Sequence, residues 1–369
     1  MKNYLYFQKK YPKFIYKNYS YRISEKDLEI FFDFEIEPNI FFRPEIIIKN
    51  INKTQLTKVG KSKLNDLIFH LGLIELPSYW KATCSPKIEI QAGYLNKKQI
   101  LWWRNLIING MGQFFYENGI DFTRPNFFKI SSGQKKPNFL RLNVTREDFI
   151  PNRVLVPIGG GKDSIVSLEI LKKAMPINCF ALNPTQAAKK IMKIAGCQKS
   201  IIVKRKIDKK LLNLNRKGFL NGHTPFSAYL AFLSILIATI FNYKYIAFSN
   251  ERSANEGNLK YLGKNINHQY SKSFDFEGKF RNYYKKYLIK AIEYFSFLRP
   301  FYEIQISRLF SLHPKYFPAF LSCNKGQKKG FWCGKCPKCL FVFTSLYPFI
   351  DEKKLIKIFK KNQIFSDSM

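Results

Sequence analysis

The sequence predicts an α/β protein, a parallel-sheet domain from about residue 151 onward preceded by a smaller α+β domain. Three observations carry this reading. From Arg153 the chain alternates short, continuously apolar strand patterns with helical ones, as a parallel sheet covered on both faces requires. The first of these strands runs into three glycines and then into a helical pattern, "VLVPIGGGKDSIVSLEIL" (Val154 to Leu171). Before residue 150 the texture is mixed, with β-branched and aromatic runs beside helices broken by Gly and Pro.

In the N-terminal part, "LEIFFDFEIE" and "FRPEIIIKN" carry the bias of strands. The stretch "KLNDLIFHLGLIELPSYW" begins as a helix and is expected to break near Gly72 and Pro77. "KKQILWWRNLIINGMGQFFYENG" reads as a helix interrupted around Gly110 and Gly112. "FTRPNFFKISSGQKKPNF" is loop-rich, and Pro151 marks the expected boundary. This gives an α+β domain over 1–150, a catalytic domain over 151–350 and a tail over 351–369. Within the second domain, strand "RVLVPI" precedes the glycines and helix "KDSIVSLEILKKA" follows them. Strand "NCFAL", helix "TQAAKKIMKIAG" and strand "KSIIVKR" come next, and the long helix 226–241 leads into strand "YKYIAFS".

Of the 369 residues, 46% are hydrophobic, enough for sizeable cores. A formal net charge of +36 would draw polyanions. The lysines, however, are diffuse and accompany abundant Ile, Asn, Phe and Tyr, the mixture that AT-biased codons give any protein, so a nucleic-acid partner is not expected. The N-terminus "MKNYLYFQKKYPKF" lacks the apolar core of a signal peptide. The most apolar segment, Ala228 to Phe241, is 14 residues, too short to span a bilayer. Four of the seven cysteines crowd between 323 and 339, which does not suggest a secreted disulfide framework. Cys179 lies in a strand pattern and is expected in the core. The expectation is a cytoplasmic chain with reduced thiols.

A strand–glycine loop–helix unit gathers backbone N–H groups and the positive end of a helix at one point, which suits an anion. Gly159, Gly160, Gly161, Lys162, Asp163 and Ser164 do not follow the Walker pattern, because Lys162 is followed by Asp. They resemble the S-G-G-x-D-S loop of the PP-loop ATP pyrophosphatases. Gly160, Gly161, Asp163 and Ser164 match that pattern, Lys162 is at its variable position, and Gly159 replaces its first serine. The resemblance implies an adenine nucleotide alpha hydrolase-like fold, a grip on the β,γ-pyrophosphate of ATP, and cleavage between the α and β phosphates.

Near the C-terminus, Cys323, Cys333, Cys336 and Cys339 have intervals of nine, two and two residues. Overlapping Cys-x-x-Cys pairs with a fourth thiol across a loop point to a closed, structural Zn²⁺ site. A third group consists of polar residues beyond strand ends, where open parallel sheets bind ligands. It comprises "LNGHTPFSA" with His223, "SNERSANEGN" with Glu251 and Arg252, and "NINHQYSKSFDFE" with His268 and Lys272.

Taken together, "WKATCSP", "GMGQFFYENGIDF", "VPIGGGKDS", "LNGHTPFSA", "SNERSANEGN", "NHQYSKS" and "WCGKCPKCLFV" resemble the MurL family over roughly residues 75 to 345. That family epimerises UDP-N-acetylmuramoyl-L-alanyl-L-glutamate (UDP-MurNAc-L-Ala-L-Glu) in peptidoglycan synthesis. The resemblance implies ATP- and Mg²⁺-dependent inversion of the terminal L-Glu, with release of AMP and diphosphate. The glycine loop would then hold pyrophosphate and Mg²⁺, with Asn183 near the adenosine. His223, Glu251 and His268 are the expected acid–base groups, and Arg252 and Lys272 the expected anion contacts. Two rival readings share the loop and the cysteines: a 7-cyano-7-deazaguanine synthase-like enzyme and a tRNA-modifying PP-loop enzyme.

Overall fold

Apolar runs that can be solvated on neither face pair side by side in the second half of the chain. In the computed structural model, which describes residues 3–133, 151–197 and 199–359, five strands of this half lie side by side. They lie in the order Glu293–Ser296, Tyr245–Phe248, Val154–Pro157, Ile177–Leu182, Ile201–Lys206, each neighbouring pair parallel. The first strand in sequence is central. The chain builds outward on one side of it, then returns to build outward on the other. The reversal lies between Val154–Pro157 and Tyr245–Phe248, the point at which doubly wound sheets open a crevice beyond their strand ends.

The chain divides into two compact units. The one holding this sheet comprises 151–203, 243–253 and 293–369; the other comprises 1–150, 204–242 and 254–292. Residues 204–242 and 254–292 thus group with 1–150. The helix Phe226–Phe241 explains why: buried residues from Ala228 to Ile240 surround its axis, and it packs on the helix Lys61–Glu75 of the same unit. A local apolar pattern announces burial but does not say which layer supplies the neighbours.

Strand pairing within the N-terminal unit is mixed. The strand Lys13–Ser24 runs antiparallel to Asp27–Ile36 and parallel to Lys87–Ile90, which pairs in turn with Lys129–Ser132. Along Asp27–Ile36 burial alternates residue by residue, so one face meets the core. The helix Lys61–Glu75 runs straight through Gly72, where a break was expected. A Cβ at Gly72 would lie 2.0 Å from the Tyr16 hydroxyl oxygen and 2.8 Å from the Phe32 ring, so this glycine permits a close approach of the helix to the strands. The break comes instead at Pro77, which opens the short helix Pro77–Trp80.

At the end of the long helix, Glu75 is fully buried and receives the Arg205 guanidinium through Nε at 2.9 Å and Nη2 at 2.7 Å. Arg205 also donates to Ser78 Oγ at 2.8 Å and lies over the Tyr229 ring. Glu75→Gln keeps the shape but leaves the buried guanidinium uncompensated. Removing one partner of such a pair costs about 3 kcal/mol, and a denaturant titration is expected to show that loss. An unchanged midpoint would mean that the ion pair adds nothing.

In the sheet-bearing unit, Cys179 is buried as expected but is joined to Cys197 by a disulfide, so the expectation of a free thiol is corrected. The bond links the strand Ile177–Leu182 to the turn that follows the helix Gln186–Ile194. The expected tail begins with a helix, Glu352–Phe359, whose Leu355 and Phe359 enter the core of this unit. The expected loop over 134–139, the residues leading to Pro151, and residues 360–369 lie outside the described ones. Among the described residues, no helix is long and apolar enough to cross a membrane.

Candidate functional site

The glycine loop leaves the central strand at the point of reversal. Gly160 has φ +105°, and a Cβ there would lie 3.2 Å from Thr185 Oγ1, 3.3 Å from Ala187 Cβ and 3.4 Å from the Ala188 nitrogen. Both its torsion and its neighbours demand glycine. Gly161, in extended conformation, precedes the helix Lys162–Leu171, and no side chain caps that N-terminus. Its leading N–H groups therefore point outward as an anion cradle. Leu321 N donates to Gly160 O at 2.8 Å, which fixes the loop from the segment just before Cys323. Nothing lies within 4 Å of a Cβ at Gly159, so the serine of the related pattern would fit there without strain.

Lys162 turns inward. It is buried and pairs with Asp163 at 2.6 Å and with Glu303. Burial works against its charge, but the two carboxylates outweigh that and raise its pKa. Glu303 is held above the usual carboxylate range, chiefly by burial. Ser164 Oγ donates to Gly161 O at 3.1 Å and closes the first turn. Asn183, with φ +46°, ends the neighbouring strand and donates its N–H to Val203 O.

Beyond the strand Tyr245–Phe248, Ser249 Oγ meets Ser167 Oγ of the loop helix at 2.8 Å. Asn250 Nδ2 donates to Ser296 Oγ at 3.0 Å, and Arg299 reaches both Ser296 Oγ and Glu251 O. The Glu251 carboxylate accepts from Ser253 N, capping the single turn Arg252–Asn255. Arg252 is exposed, and its guanidinium lies over the Tyr302 ring at 4.5 Å.

His223, His268 and Lys272 gather in the N-terminal unit, together with Lys81 and Glu117. Burial lowers the pKa of His223, and the charges of His268, Lys81 and Lys272 lower it further while Glu117 opposes them. The Glu117 carboxylate abuts Gly222, where a Cβ would lie 3.0 Å from Oε2. Lys81 Nζ donates to Gly222 O at 2.8 Å. His268 is largely exposed and holds Nδ1 3.1 Å from Asn258 Oδ1; partial desolvation and the Lys272 charge lower its pKa. Lys272 Nζ donates to Gln269 Oε1. Two imidazoles with lowered pKa, beside two lysine side chains and a carboxylate, form a set able to move protons.

The sulfurs of Cys323, Cys333, Cys336 and Cys339 all lie within 4.8 Å of one another. Three of the separations are 3.9 Å (Cys323–Cys336), 3.8 Å (Cys333–Cys339) and 3.5 Å (Cys336–Cys339). A tetrahedron with Zn–S of about 2.3 Å has edges of about 3.8 Å, so the donors fit zinc in number, element and spacing. Gly326 N and Cys333 N donate to Cys323 Sγ, as backbone amides do around thiolates. Burial would raise the Cys336 thiol, but N–H groups of Cys339 and Asn324 bring it down to about 6.

The sequence profile of the MurL N-terminal domain matches residues 6–297, and that of the MurL C-terminal domain matches residues 319–369. The chain belongs to the MurL family. Proteins named UDP-N-acetyl-alpha-D-muramoyl-L-alanyl-L-glutamate epimerase are similar to it. The one from Xanthomonas oryzae pv. oryzae is 32% identical over 79% of this chain and 64% of its own length. Those from Micromonospora sp. and Salinispora tropica are 32% and 31% identical over 76% of this chain. The chain spans a little under two thirds of the length of these relatives, 61–64%. No solved structure matches it.

The MurL N-terminal match covers the glycine loop and the histidine cluster, and the C-terminal match covers the four cysteines. Sequence reasoning missed three charged neighbours. Glu303 comes from a distant helix and carries no local signal. Glu117 was hidden among ordinary helix-end polar residues. Lys81 stands inside "WKATCSP", a motif noted for its resemblance but not for its lysine.

Proposed function

We propose that this chain inverts the terminal L-glutamate of UDP-MurNAc-L-Ala-L-Glu, driven by ATP cleavage to AMP and diphosphate. The names of its MurL relatives support the substrate. The observation that carries the ATP part is the uncapped helix at Gly161, opened by a left-handed Gly160 at the sheet's point of reversal. A free carboxylate resists loss of its own α-proton, because its charge opposes a second negative charge. Adenylation removes that charge and acidifies the carbon. A side-chain base then takes the proton, reprotonation from the other face inverts the centre, and water releases AMP.

In this reading residues 159–164 would hold the diphosphate, Asp163 would offer its carboxylate to Mg²⁺, and Asn183 would contact the adenosine. Arg252 and Lys272 bind glutamate carboxylates or the UDP diphosphate, and the N-terminal unit holds the substrate. His223 fits acid–base work better than Glu251, whose carboxylate is engaged by Ser253 N. Zinc at the four cysteines is structural, since all four positions are filled by sulfur.

The test is an assay of AMP and diphosphate with each candidate substrate. Formation only with UDP-MurNAc-L-Ala-L-Glu, together with appearance of the D-Glu epimer, is expected. AMP release stimulated instead by tRNA or by a carboxylated deazaguanine would replace this reading with one of its rivals.

A further inference from the structure

The segment Trp80–Ser85 is buried nearly throughout: Trp80, Ala82, Thr83, Cys84 and Ser85 have no exposed surface, and Lys81 retains 9%. Its polar groups are engaged. Trp80 Nε1 donates to Ser85 O, Thr83 Oγ1 meets Ser85 Oγ, and Leu220 N donates to Ala82 O. Lys81 is thus held rigidly, and its Nζ reaches across to Gly222 O, the residue before His223. A buried ammonium usually has a carboxylate partner. Among the described residues, Lys81 has no ion pair; the Arg205 that faces it is taken up by Glu75. Burial and that arginine bring its pKa down to about 8.

We propose that Lys81 is a catalytic acid of the inversion, acting on one face of the glutamate α-carbon while His223 acts on the other. This rests on the function proposed above. Neutral His223 takes the α-proton: the C–H bond breaks, an N–H bond forms, and the electron pair moves into the activated acyl group. The Lys81 ammonium then gives a proton to the opposite face, forming the new C–H bond and leaving a neutral amine. Transfer of one proton from His223 to Lys81 through solvent restores both groups. No atom is gained or lost overall. Glu117, beside Gly222, steadies the imidazolium formed in between.

The experiment follows UDP-MurNAc-L-Ala-L-Glu with ATP and Mg²⁺ in D₂O, measuring AMP, α-deuterium and the D-epimer separately. In Lys81→Met and Lys81→Arg, AMP formation and α-deuterium uptake into the L-epimer persist, while the D-epimer falls by about 10²-fold or more. The arginine variant keeps the charge but cannot release a proton, so it separates chemistry from folding. In Lys81→Ala, added methylamine or ethylamine restores inversion in order of amine basicity. His223→Asn, by contrast, loses deuterium uptake into the L-epimer. Inversion within threefold of wild type in the Met or Arg variant overturns the role of Lys81 alone. So does loss of inversion with neither retained exchange nor amine rescue, which would mark a structural lysine. A wild-type protein that makes no D-epimer overturns the proposed function and this inference with it.

Discussion

Gly160→Val is expected to reduce ATP cleavage by at least about 10²-fold while leaving the secondary structure in place. Valine cannot hold φ +105° without strain, and its Cβ would stand 3.2–3.4 Å from Thr185, Ala187 and the Ala188 nitrogen. Either the loop or the helix Gln186–Ile194 must move. A displacement of about an ångström is enough to misdirect the helix N–H groups from a phosphate. The measurement is single-turnover AMP formation beside circular dichroism. Gly159→Ser is the matched control, since that position has free space and an unstrained torsion. Wild-type turnover in the valine variant would mean that the loop does not grip the nucleotide.

The second large effect is expected at the cysteines. Cys336→Ser should abolish tight binding of one zinc per chain and lower the unfolding free energy by several kcal/mol, because a closed thiolate site contributes its binding energy to folding. Cys323, Cys336 and Cys339 belong to the same core as Trp332, which lies 4.7 Å from the Phe359 ring and 5.3 Å from the Phe320 ring. Loss of metal would therefore loosen the C-terminal packing and, through Leu321 N and Gly160 O, the glycine loop. Metal analysis and thermal melting with and without a chelator check this. A variant that melts as wild type does, with no zinc in either protein, would remove the metal from the account.

Legibility followed the range of the interactions involved. The strands Val154–Pro157, Ile177–Leu182 and Tyr245–Phe248 were visible because burial on both faces leaves continuous apolar runs. The glycine loop and the cysteine cluster were visible because their chemistry sits within a few residues of sequence. The strand Lys13–Ser24 was not, since its register shifts between Tyr16 and Asn18 and polar residues follow, so no clean alternation marks it. The helix through Gly72 depends on Tyr16 and Phe32, far away in sequence. The Cys179–Cys197 bond and the Lys162–Glu303 pair likewise exist only once the chain has folded. At the site, residue types were readable, whereas the engagement of Glu251 by Ser253 and the burial of Lys81 were not.

The division of the chain has a practical consequence. Each unit is assembled from three separate stretches, so the boundary at residue 151 is not a place to cut. A fragment starting there would carry the glycine loop but also 204–242 and 254–292 without the strands and helices they pack on. Its helix Phe226–Phe241 would present Leu233, Leu236 and Ile237, now fully buried, to water. Such a fragment is destined for aggregates rather than for an assay. Conversely, residues 1–150 alone would lack the arginine that neutralises Glu75. Functional dissection therefore has to proceed by point substitution rather than by truncation.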